Sequence, residues 1–129
     1  MPGRFLLDTN IIVALLGGDA ALQERLAQAA EVFVASIVLG ELYFGARKSS
    51  RVDENLAQIE SFAATNAVLG CDIETARLYG LIKNQLRQQG HPIPENDIWI
   101  AAIARQHDLV LVTRDRHFEH VQDLKQERW

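Results

Sequence analysis

The sequence is poor in cysteine and in long apolar runs. Its 129 residues include one cysteine, Cys71, which excludes an internal disulfide bond and leaves too few thiols for a zinc knuckle. Such a chain is expected in a reducing compartment. No stretch approaches the ~18 consecutive apolar residues of a transmembrane helix. Asp8 also interrupts the apolar region near the N-terminus that would otherwise resemble a signal peptide. We therefore expect a soluble protein in the cytoplasm.

The sequence also lacks an excess of positive charge. Its 13 lysines and arginines are outnumbered by 17 acidic residues, giving a net charge of −4. This argues against binding nucleic acid through a strong overall positive field, but it is compatible with local basic clusters. The phosphate-binding motif G-x-x-x-x-G-K-[ST] is absent, which argues against nucleoside triphosphate chemistry. The four histidines lack the i, i+4 pair of zinc hydrolases, so they are not expected to be metal ligands.

What the chain does contain is enough apolar material for a core. Hydrophobic residues make up 48% of it and charged residues 23%, a composition unlike that of disordered, collagen-like or coiled-coil proteins. A chain of this length buries roughly two thirds of the surface that it exposes when unfolded. We predict a single domain spanning residues 1–129.

Short apolar runs alternate with helical segments along the chain. Predicted strands cover residues 5–7, 32–35, 67–69 and 109–112, and Val121 is a candidate for an edge strand. Predicted helices cover 10–16, 19–30, 37–48, a segment from about 53, 72–89, and a segment from 96 or 97 to 104. Asp19, Ser36 and Asp72 are expected to cap the helices that they precede, and Gly90 to end the fifth helix. The alternation predicts βαβ units and an α/β fold with a parallel sheet.

Four carboxylates stand where an α/β fold exposes its chemistry. Asp8 directly follows the first predicted strand, and Asp115 follows the last apolar residue of strand 109–112 by three positions. Ligands of open α/β sheets bind beyond the carboxyl ends of the strands, so both acids should face that crevice. Asp97 lies at the start of a helix. Glu41 lies within one, and its neighbours three and four positions away form an apolar face: Ile37, Val38, Phe44 and Gly45.

Each acid has an ordinary structural alternative. Asp8 and Asp97 are suited to cap helices, and Asp115 is suited to a turn. Glu41 is harder to explain in this way, because an ionised carboxylate on an apolar face costs several kcal/mol unless it is paired. Converging acids raise each other's pKa values, and a divalent cation relieves their repulsion. Oxygen ligands with few histidines or thiols favour Mg²⁺, with Mn²⁺ as the alternative.

Four motifs, in order along the chain, resemble the PIN domain family. They are Phe5-Leu6-Leu7-Asp8-Thr9-Asn10, then Ser36 followed by Gly40-Glu41-Leu42 and Gly45-Ala46, then Asn96-Asp97 followed by Ile100-Ala101-Ala102, and finally Thr113-Arg114-Asp115 followed by Phe118. More narrowly, the chain is similar to the VapC toxins of type II toxin–antitoxin systems. The resemblance runs from about residue 4 to the C-terminus.

The resemblance implies a metal-dependent endoribonuclease. Its acidic quartet would be Asp8, Glu41, Asp97 and Asp115, with Asp8 and Asp97 as direct metal ligands. The fourth position varies in this family and often carries asparagine, which leaves the role of Asp115 the most open. The resemblance also implies a five-stranded parallel sheet surrounded by helices, a homodimer and a VapB-like antitoxin, with tRNA as the leading substrate.

Basic and hydroxyl side chains near the acids are candidates for supporting roles. Possible phosphate-binding residues are Arg47, Lys48 and Arg51, which follow Glu41, and Arg114 and Arg116, which flank Asp115. For all five, solvation of the surface is the alternative. Thr9, Ser36 and Thr113 lie beside the acids, and each either orients a carboxylate or serves as an ordinary cap or turn hydroxyl.

Two other function classes compete with a nuclease. A phosphatase with Asp8 as nucleophile would need a general acid two positions later, where the chain carries Asn10. A catalytically silent PIN-like module that binds RNA or protein would be favoured by the loss of an acid, yet all four acids are present. Cys71 and Trp99 are expected to be structural, with Trp99 facing away from Asp97.

Overall fold

The computed structural model describes residues 3–29 and 31–129. Strands and helices alternate through most of the chain, as the sequence predicts. The strands are β1 (Arg4–Leu7), β2 (Glu31–Ala35), β3 (Ala67–Leu69), β4 (Val110–Val112) and β5 (Gln126–Glu127). The helices are α1 (Thr9–Leu16), α2 (Ala20–Gln28), α3 (Ser36–Arg47), α4 (Val52–Thr65), α5 (Ile73–Gln89) and α6 (Glu95–Gln106). A short 3-10 helix, Arg116–His120, lies between β4 and β5.

The strands form one five-stranded sheet in the order β3-β2-β1-β4-β5. All four neighbouring pairs are parallel, which confirms the predicted fold class. The first strand occupies the centre, where Phe5 is in register with Val32 on one side and Val110 on the other. Because parallel strands share a direction, the residues that follow β1 and β4 emerge at the same edge of the sheet.

The core is built around the central strands and α6. Leu6 and Leu7 of β1 are fully buried, as is Leu111 of β4. Helix α6 has buried residues on most of its circumference: Ile98, Ile100, Ala101, Ala102, Ile103 and Ala104. Such a continuous apolar run is typical of a helix enclosed by other elements, and it fixes the position of the first turn of α6. Within residues 3–29 and 31–129, no helix has both the length and the apolar character needed to cross a membrane.

Several helix ends form where the sequence predicts them. Asp19 accepts a hydrogen bond from the backbone of Leu22 and caps α2. Asp72 and Thr75 form a reciprocal capping box at the start of α5. Gly90 ends the same helix with a positive φ of 71°, a conformation that glycine adopts without steric cost.

Other predicted boundaries are wrong. Ser36 is the first residue of α3 rather than its cap, because Ala35 occupies the cap position without a side-chain hydrogen bond. Helix α6 begins at Glu95 after Pro94, so neither Asn96 nor Asp97 caps it. Helix α2 ends at Gln28, and the predicted end near Ala30 lies outside the described residues.

The predicted edge strand at Val121 is also wrong. Val121 is a buried residue directly after the 3-10 helix, and the edge strand is formed by β5.

Candidate active site

The register of the two central strands brings Asp8 and Thr113 together. Leu7 pairs with Val112, and Asp8 and Thr113 are the residues that follow this pair. Both are almost completely buried, at 4% and 5% exposure. The Thr113 hydroxyl donates to Oδ2 of Asp8 at 2.7 Å, and Oδ1 of Asp8 accepts from the backbone N–H of Thr9 at 2.8 Å. Asp8 therefore caps α1 and also presents a buried carboxylate at the edge of the sheet.

His117 joins two further acids. Its Nδ1 lies 3.0 Å from Oδ2 of Asp97 and 3.0 Å from Oδ1 of Asp115. Asp97 is held in the first turn of α6, while Asp115 caps the 3-10 helix by accepting from the backbone N–H of His117 at 2.9 Å. The Thr113 hydroxyl accepts from the backbone N–H of Asp115 at 2.9 Å, so the same threonine contacts both Asp8 and Asp115.

Sequence reasoning favours a surface position for His117, although it lies close enough to Asp115 in the sequence to touch a substrate. The available signal was the spacing of Asp115 and His117, since an aspartate that caps a short turn brings the residue two positions later back towards its own carboxylate. The i, i+4 pattern of zinc sites does not include this spacing of two residues.

Glu41 reaches the site from α3. Its Oε1 accepts from the Thr9 hydroxyl at 3.3 Å, and the residue is half-buried. The surrounding helix face is only partly buried, because Phe44 is 66% exposed while Val38 is buried. Glu41 faces a groove between α1, α3 and α4 rather than the core.

Burial makes the acids costly to ionise. It is the largest cause of the raised pKa of Asp8, Glu41 and Asp97. Repulsion by neighbouring carboxylates adds to each: Asp115 acts on Asp8, Asp8 acts on Glu41, and both Asp8 and Asp115 act on Asp97. The hydrogen bond that Nδ1 of His117 donates to Asp97 raises the pKa of His117 and favours its protonated form between the two carboxylates. The four acids thus share one electrostatic environment, a property common at functional sites.

The donor set fits a hard divalent cation. One ligand atom from each of Asp97, Asp115 and His117 lies within 4.8 Å of the others. The carboxylates of Asp8 and Glu41 interact electrostatically with Asp97. With them included, most of the potential ligand atoms are oxygens. Oxygen-rich sites favour Mg²⁺ or Mn²⁺, and a cation would relieve the carboxylate repulsion that raises their pKa values.

The hydroxyl residues named by the sequence divide into two groups. Thr9 contacts Glu41 and Thr113 contacts Asp8, so both orient carboxylates. Ser36 is exposed at the start of α3, and the structure shows no hydrogen bond from it to an acid. Trp99 stacks on Tyr79 with ring centroids 4.0 Å apart, which accounts for it without a role at the acids.

The basic residues differ in how they are held. Arg114 donates from Nε to the carbonyl of Trp129 at 2.9 Å and pairs with Asp19 at 3.5 Å, so its guanidinium anchors neighbouring segments. Arg116 is 83% exposed and pairs with Glu119 at 3.4 Å. Arg47 and Lys48 are exposed at the end of α3, and Arg51 just beyond them pairs with Glu54 at 3.3 Å.

Comparison with known proteins places the fold and the sequence in one family. A profile of the PIN domain matches residues 5–124. Ribonuclease VapC2 from Haemophilus influenzae is 40% identical over 129 residues, covering 98% of each chain. A tRNA(fMet)-specific endonuclease VapC from Shigella flexneri is 38% identical over the same length and coverage. The crystal structure of DNA-bound VapBC from Salmonella typhimurium superposes with a TM-score of 0.92 at 33% identity, covering 100% of this chain and 99% of the other. The chain belongs to the PIN domain family and, within it, to the VapC ribonucleases.

Proposed function

We propose that the protein is a Mg²⁺-dependent endoribonuclease that cleaves tRNA and acts as the toxin of a VapBC module. Asp8, Glu41, Asp97 and Asp115 form its catalytic site, Asp8 and Asp97 are direct metal ligands, and Mn²⁺ is an alternative to Mg²⁺. Residues 1–129 act as a single PIN domain in the cytoplasm. The tRNA(fMet)-specific relative supports the choice of substrate class.

One observation carries the proposal. Four carboxylates from separate elements share one site. Burial removes three of them, Asp8, Glu41 and Asp97, from water and thereby raises their pKa values. Such an arrangement works against stability and is retained where a function requires it. Cation binding provides that function, because it compensates the repulsion that the apo site carries.

The mechanism follows from how each side chain is held. A divalent cation supplies Lewis-acid activation of water and screening of phosphate charge. Asp8 and Asp97 hold it, while Thr113 fixes the orientation of Asp8 through its 2.7 Å hydrogen bond. The Oε1 atom of Glu41 accepts a hydrogen bond from the Thr9 hydroxyl. The raised pKa of Glu41 makes its carboxylate a suitable acceptor for the proton of the attacking water.

Phosphate binding is assigned to basic residues around the acids. Arg116 is the best placed, since it is highly exposed and lies next to Asp115. Arg47 and Lys48 extend the contact beyond Glu41, and Arg114 contributes charge while its Nε anchors the Trp129 carbonyl. Such contacts supply affinity and position without base specificity.

We propose a VapB-like antitoxin as the partner that blocks the site. The groove beside Glu41 has a volume of about 600 Å³, and its walls include the apolar side chains of Val13, Leu16 and Ile59. An amphipathic segment can bury its apolar face there and place a basic side chain against the acids. Complexes of VapC with VapB among the similar solved structures support this partner.

The partner proposal has a direct test. Val13 is 57% exposed, so Val13→Asp should weaken capture of the co-expressed antitoxin without unfolding the protein. Val68→Asp, on the edge strand β3, is the matched control, because Val68 is 43% exposed and outside the groove. Equal capture by both variants would argue against docking in the groove.

A homodimer completes the proposed assembly. Ile73 and Leu81 of α5 are 74% and 56% exposed, and apolar side chains of this size at a surface are candidates for a subunit contact. Light scattering on the purified protein should give twice the 14.5 kDa mass of the chain. A monomer at all concentrations would contradict this part of the proposal.

RNA cleavage tests the catalytic assignment. Antitoxin-free protein is incubated with total RNA in Mg²⁺, Mn²⁺ or EDTA, and the fragments are sequenced. We expect discrete tRNA fragments that require the metal and are lost with Asp8→Asn and with Asp97→Asn. The matched control is Asp108→Asn, because Asp108 is an exposed aspartate paired with Lys125 away from the acids. Cleavage by the Asp8 and Asp97 variants would reveal a contaminating nuclease, and no cleavage by folded wild-type protein would favour a silent binding module.

A further inference from the structure

A second groove is lined in part by His117, whose Nδ1 contacts Asp97 and Asp115. It has a volume of about 400 Å³, within the range of small-molecule sites. One wall is the connector 90–93 that follows α5, and the other is the 3-10 helix Arg116–His120. It is lined by three imidazoles and a guanidinium: His91, His117, His120 and Arg116.

Two of these imidazoles form an exposed pair, stacked face to face, that we call the platform. The rings of His91 and His120 stack with centroids 4.0 Å apart and an angle of 4° between their planes. Both residues are exposed, so the stacked pair is accessible from solvent.

The backbone holds both halves of the platform in place. The positive φ of Gly90 turns the chain back, and the N–H of His91 donates to the carbonyl of Leu86 at 3.0 Å. The side chain of Gln85 donates to the carbonyl of His120 at 3.0 Å and accepts from the N–H of Gln122 at 3.2 Å. Helix α5 therefore fixes the backbone of both histidines, which reduces the ordering cost of binding a ligand there.

The platform shares its groove with His117, which contacts the acidic site, and with the positively charged side chain of Arg116. His117 lines the groove while its Nδ1 contacts Asp97 and Asp115, so a molecule in the groove lies next to the carboxylates. Arg116 is 83% exposed, and its pair with Glu119 uses Nε, which leaves its terminal nitrogens as donors. The carboxylate of Glu119 also lines the groove, and this pairing neutralises it.

We propose that this groove is the subsite for a nucleotide adjoining the cleaved phosphodiester. The base stacks on the His91–His120 platform, and Arg116 binds a phosphate of the same strand. The inference rests on the proposed ribonuclease function. Imidazole and guanidinium groups are among those on which unstacked RNA bases stack, and such contacts tolerate any base because every base has a π-face. The subsite therefore selects single-stranded RNA rather than a particular sequence.

RNA binding by ring variants tests the platform. The parent is Asp8→Asn in EDTA, and the probe is a short fluorescein-labelled single-stranded RNA of mixed sequence, measured by anisotropy. We expect His91→Ala and His120→Ala each to raise the Kd about tenfold. His91→Phe and His120→Phe should stay within about threefold of the parent, because a phenyl ring keeps the stacking face. With an abasic RNA of equal length, the alanine variants should bind as the parent does.

The control variants separate stacking from general effects. His107→Ala removes an imidazole that lies outside the groove, and it should leave the Kd unchanged. Arg116→Ala should reduce the slope of log Kd against log salt by about one, as expected for a lost phosphate contact. Arg77→Ala should not, because Arg77 forms an equivalent i, i+3 pair with Glu74 on α5 outside the groove.

The outcomes distinguish this inference from the proposed nuclease function. Parent-like binding by the alanine variants overturns the subsite, and so does an equal loss with phenylalanine and with alanine. An effect on antitoxin capture without an effect on RNA binding would also overturn it and assign the groove to the protein partner. Metal-dependent cleavage by wild-type protein is measured in parallel. If it is intact while the ring variants bind normally, the subsite alone fails. If it is absent, the nuclease proposal fails, whatever the binding result.

Discussion

Asp8 combines two roles that sequence reasoning treats as alternatives. Its Oδ1 accepts from the N–H of Thr9 at the start of α1, and its Oδ2 accepts from the hydroxyl of Thr113 across the sheet. The cap uses one oxygen and leaves the carboxylate charge at the strand edge. Helix capping therefore does not argue against a functional aspartate, since the same geometry fixes the orientation of the carboxylate.

Replacing Asp8 should stabilise the apo protein at neutral pH. Burial raises the pKa of Asp8 above its ordinary value of 3.8, so the native state holds the proton more tightly than the unfolded state. The free energy of unfolding then falls as the pH rises from below 3.8 through the raised pKa, and the loss persists above it. In EDTA at neutral pH, Asp8→Asn should gain about 1 kcal/mol in a denaturant titration.

The pH dependence gives this prediction its control. Below the ordinary pKa of an aspartate the acid is protonated in both states, so the advantage of Asp8→Asn should disappear. Asp108→Asn should give no gain at neutral pH, because Lys125 lowers the pKa of Asp108 and the native state favours its ionised form. A variant at Asp8 that is less stable than wild type at neutral pH would contradict the argument.

Thr113 should matter although it carries no charge. Its buried hydroxyl donates to Asp8 and accepts from the N–H of Asp115. Thr113→Val keeps the shape and leaves both partners unsatisfied, which should cost about 1–3 kcal/mol. RNA cleavage should fall by about 10–100-fold, as for other groups that orient metal ligands. Thr113→Ser retains the hydroxyl and should keep most of the activity; equal losses in the two variants would contradict the role assigned to the hydroxyl.

At this scale the sequence predicts the acids better than it predicts their neighbours. Asp8 and Asp97 could be found from their positions after a strand and at a helix start. The contact of His117 with Asp97 depends on how the 3-10 helix packs against α6, which no local pattern encodes. The attachment of Arg114 to the carbonyl of Trp129 also depends on tertiary structure. Motifs therefore identify charged groups, while packing decides which of them meet.

At the scale of elements, helix α5 offers two glycines with opposite requirements. Gly80 lies within the helix, exposed, with nothing within 4 Å of an added Cβ. Gly90 ends the helix with a φ of +71°. Gly80→Ala should stabilise the protein by about 0.5–1 kcal/mol through helix propensity. Gly90→Ala should destabilise it by about 1 kcal/mol, because the left-handed conformation strains a Cβ.

Thermal unfolding followed by circular dichroism checks this pair. The two variants carry the same chemical change in one helix, so their shifts in Tm should have opposite signs. Gly90→Ala should also weaken RNA binding in the subsite assay, since Gly90 directs His91 towards His120. A stabilising effect at both positions would show that the turn accommodates other conformations.

The elements themselves follow from local sequence in most cases. Strands β1 and β4 are apolar runs, and Asp19, Asp72 and Gly90 mark helix ends by known chemistry. Strand β5 has no such signal, because Gln126 and Glu127 are polar and pair with β4 through the backbone. The edge strand is predicted at the wrong position because Val121 is an isolated apolar residue. From sequence alone, an apolar residue that is buried after a short turn cannot be distinguished from one that is buried in a strand.

At the scale of the whole molecule, cation binding should be visible as stability. A ligand that binds the native state at 100 times its Kd adds about 2.7 kcal/mol. Mg²⁺ or Mn²⁺ should therefore raise the Tm of wild-type protein relative to sodium chloride of equal ionic strength. Asp97→Asn should lose most of this gain, whereas Asp108→Asn should keep it. Equal gains in all three proteins would indicate ionic screening instead of a site.

The position of β1 at the centre of the sheet has a consequence for synthesis of the protein. The chain emerges from the ribosome N-terminus first, so Asp8 is available early, while β4 and Thr113 arrive late. The hydrogen bond between Thr113 and Asp8 joins residues 105 positions apart, and the sheet order requires β4 to pair beside β1 before the acids meet. A nascent chain therefore has no assembled acidic site until β4 and Thr113 have been made. Under the proposed function, RNA cleavage cannot begin before that point.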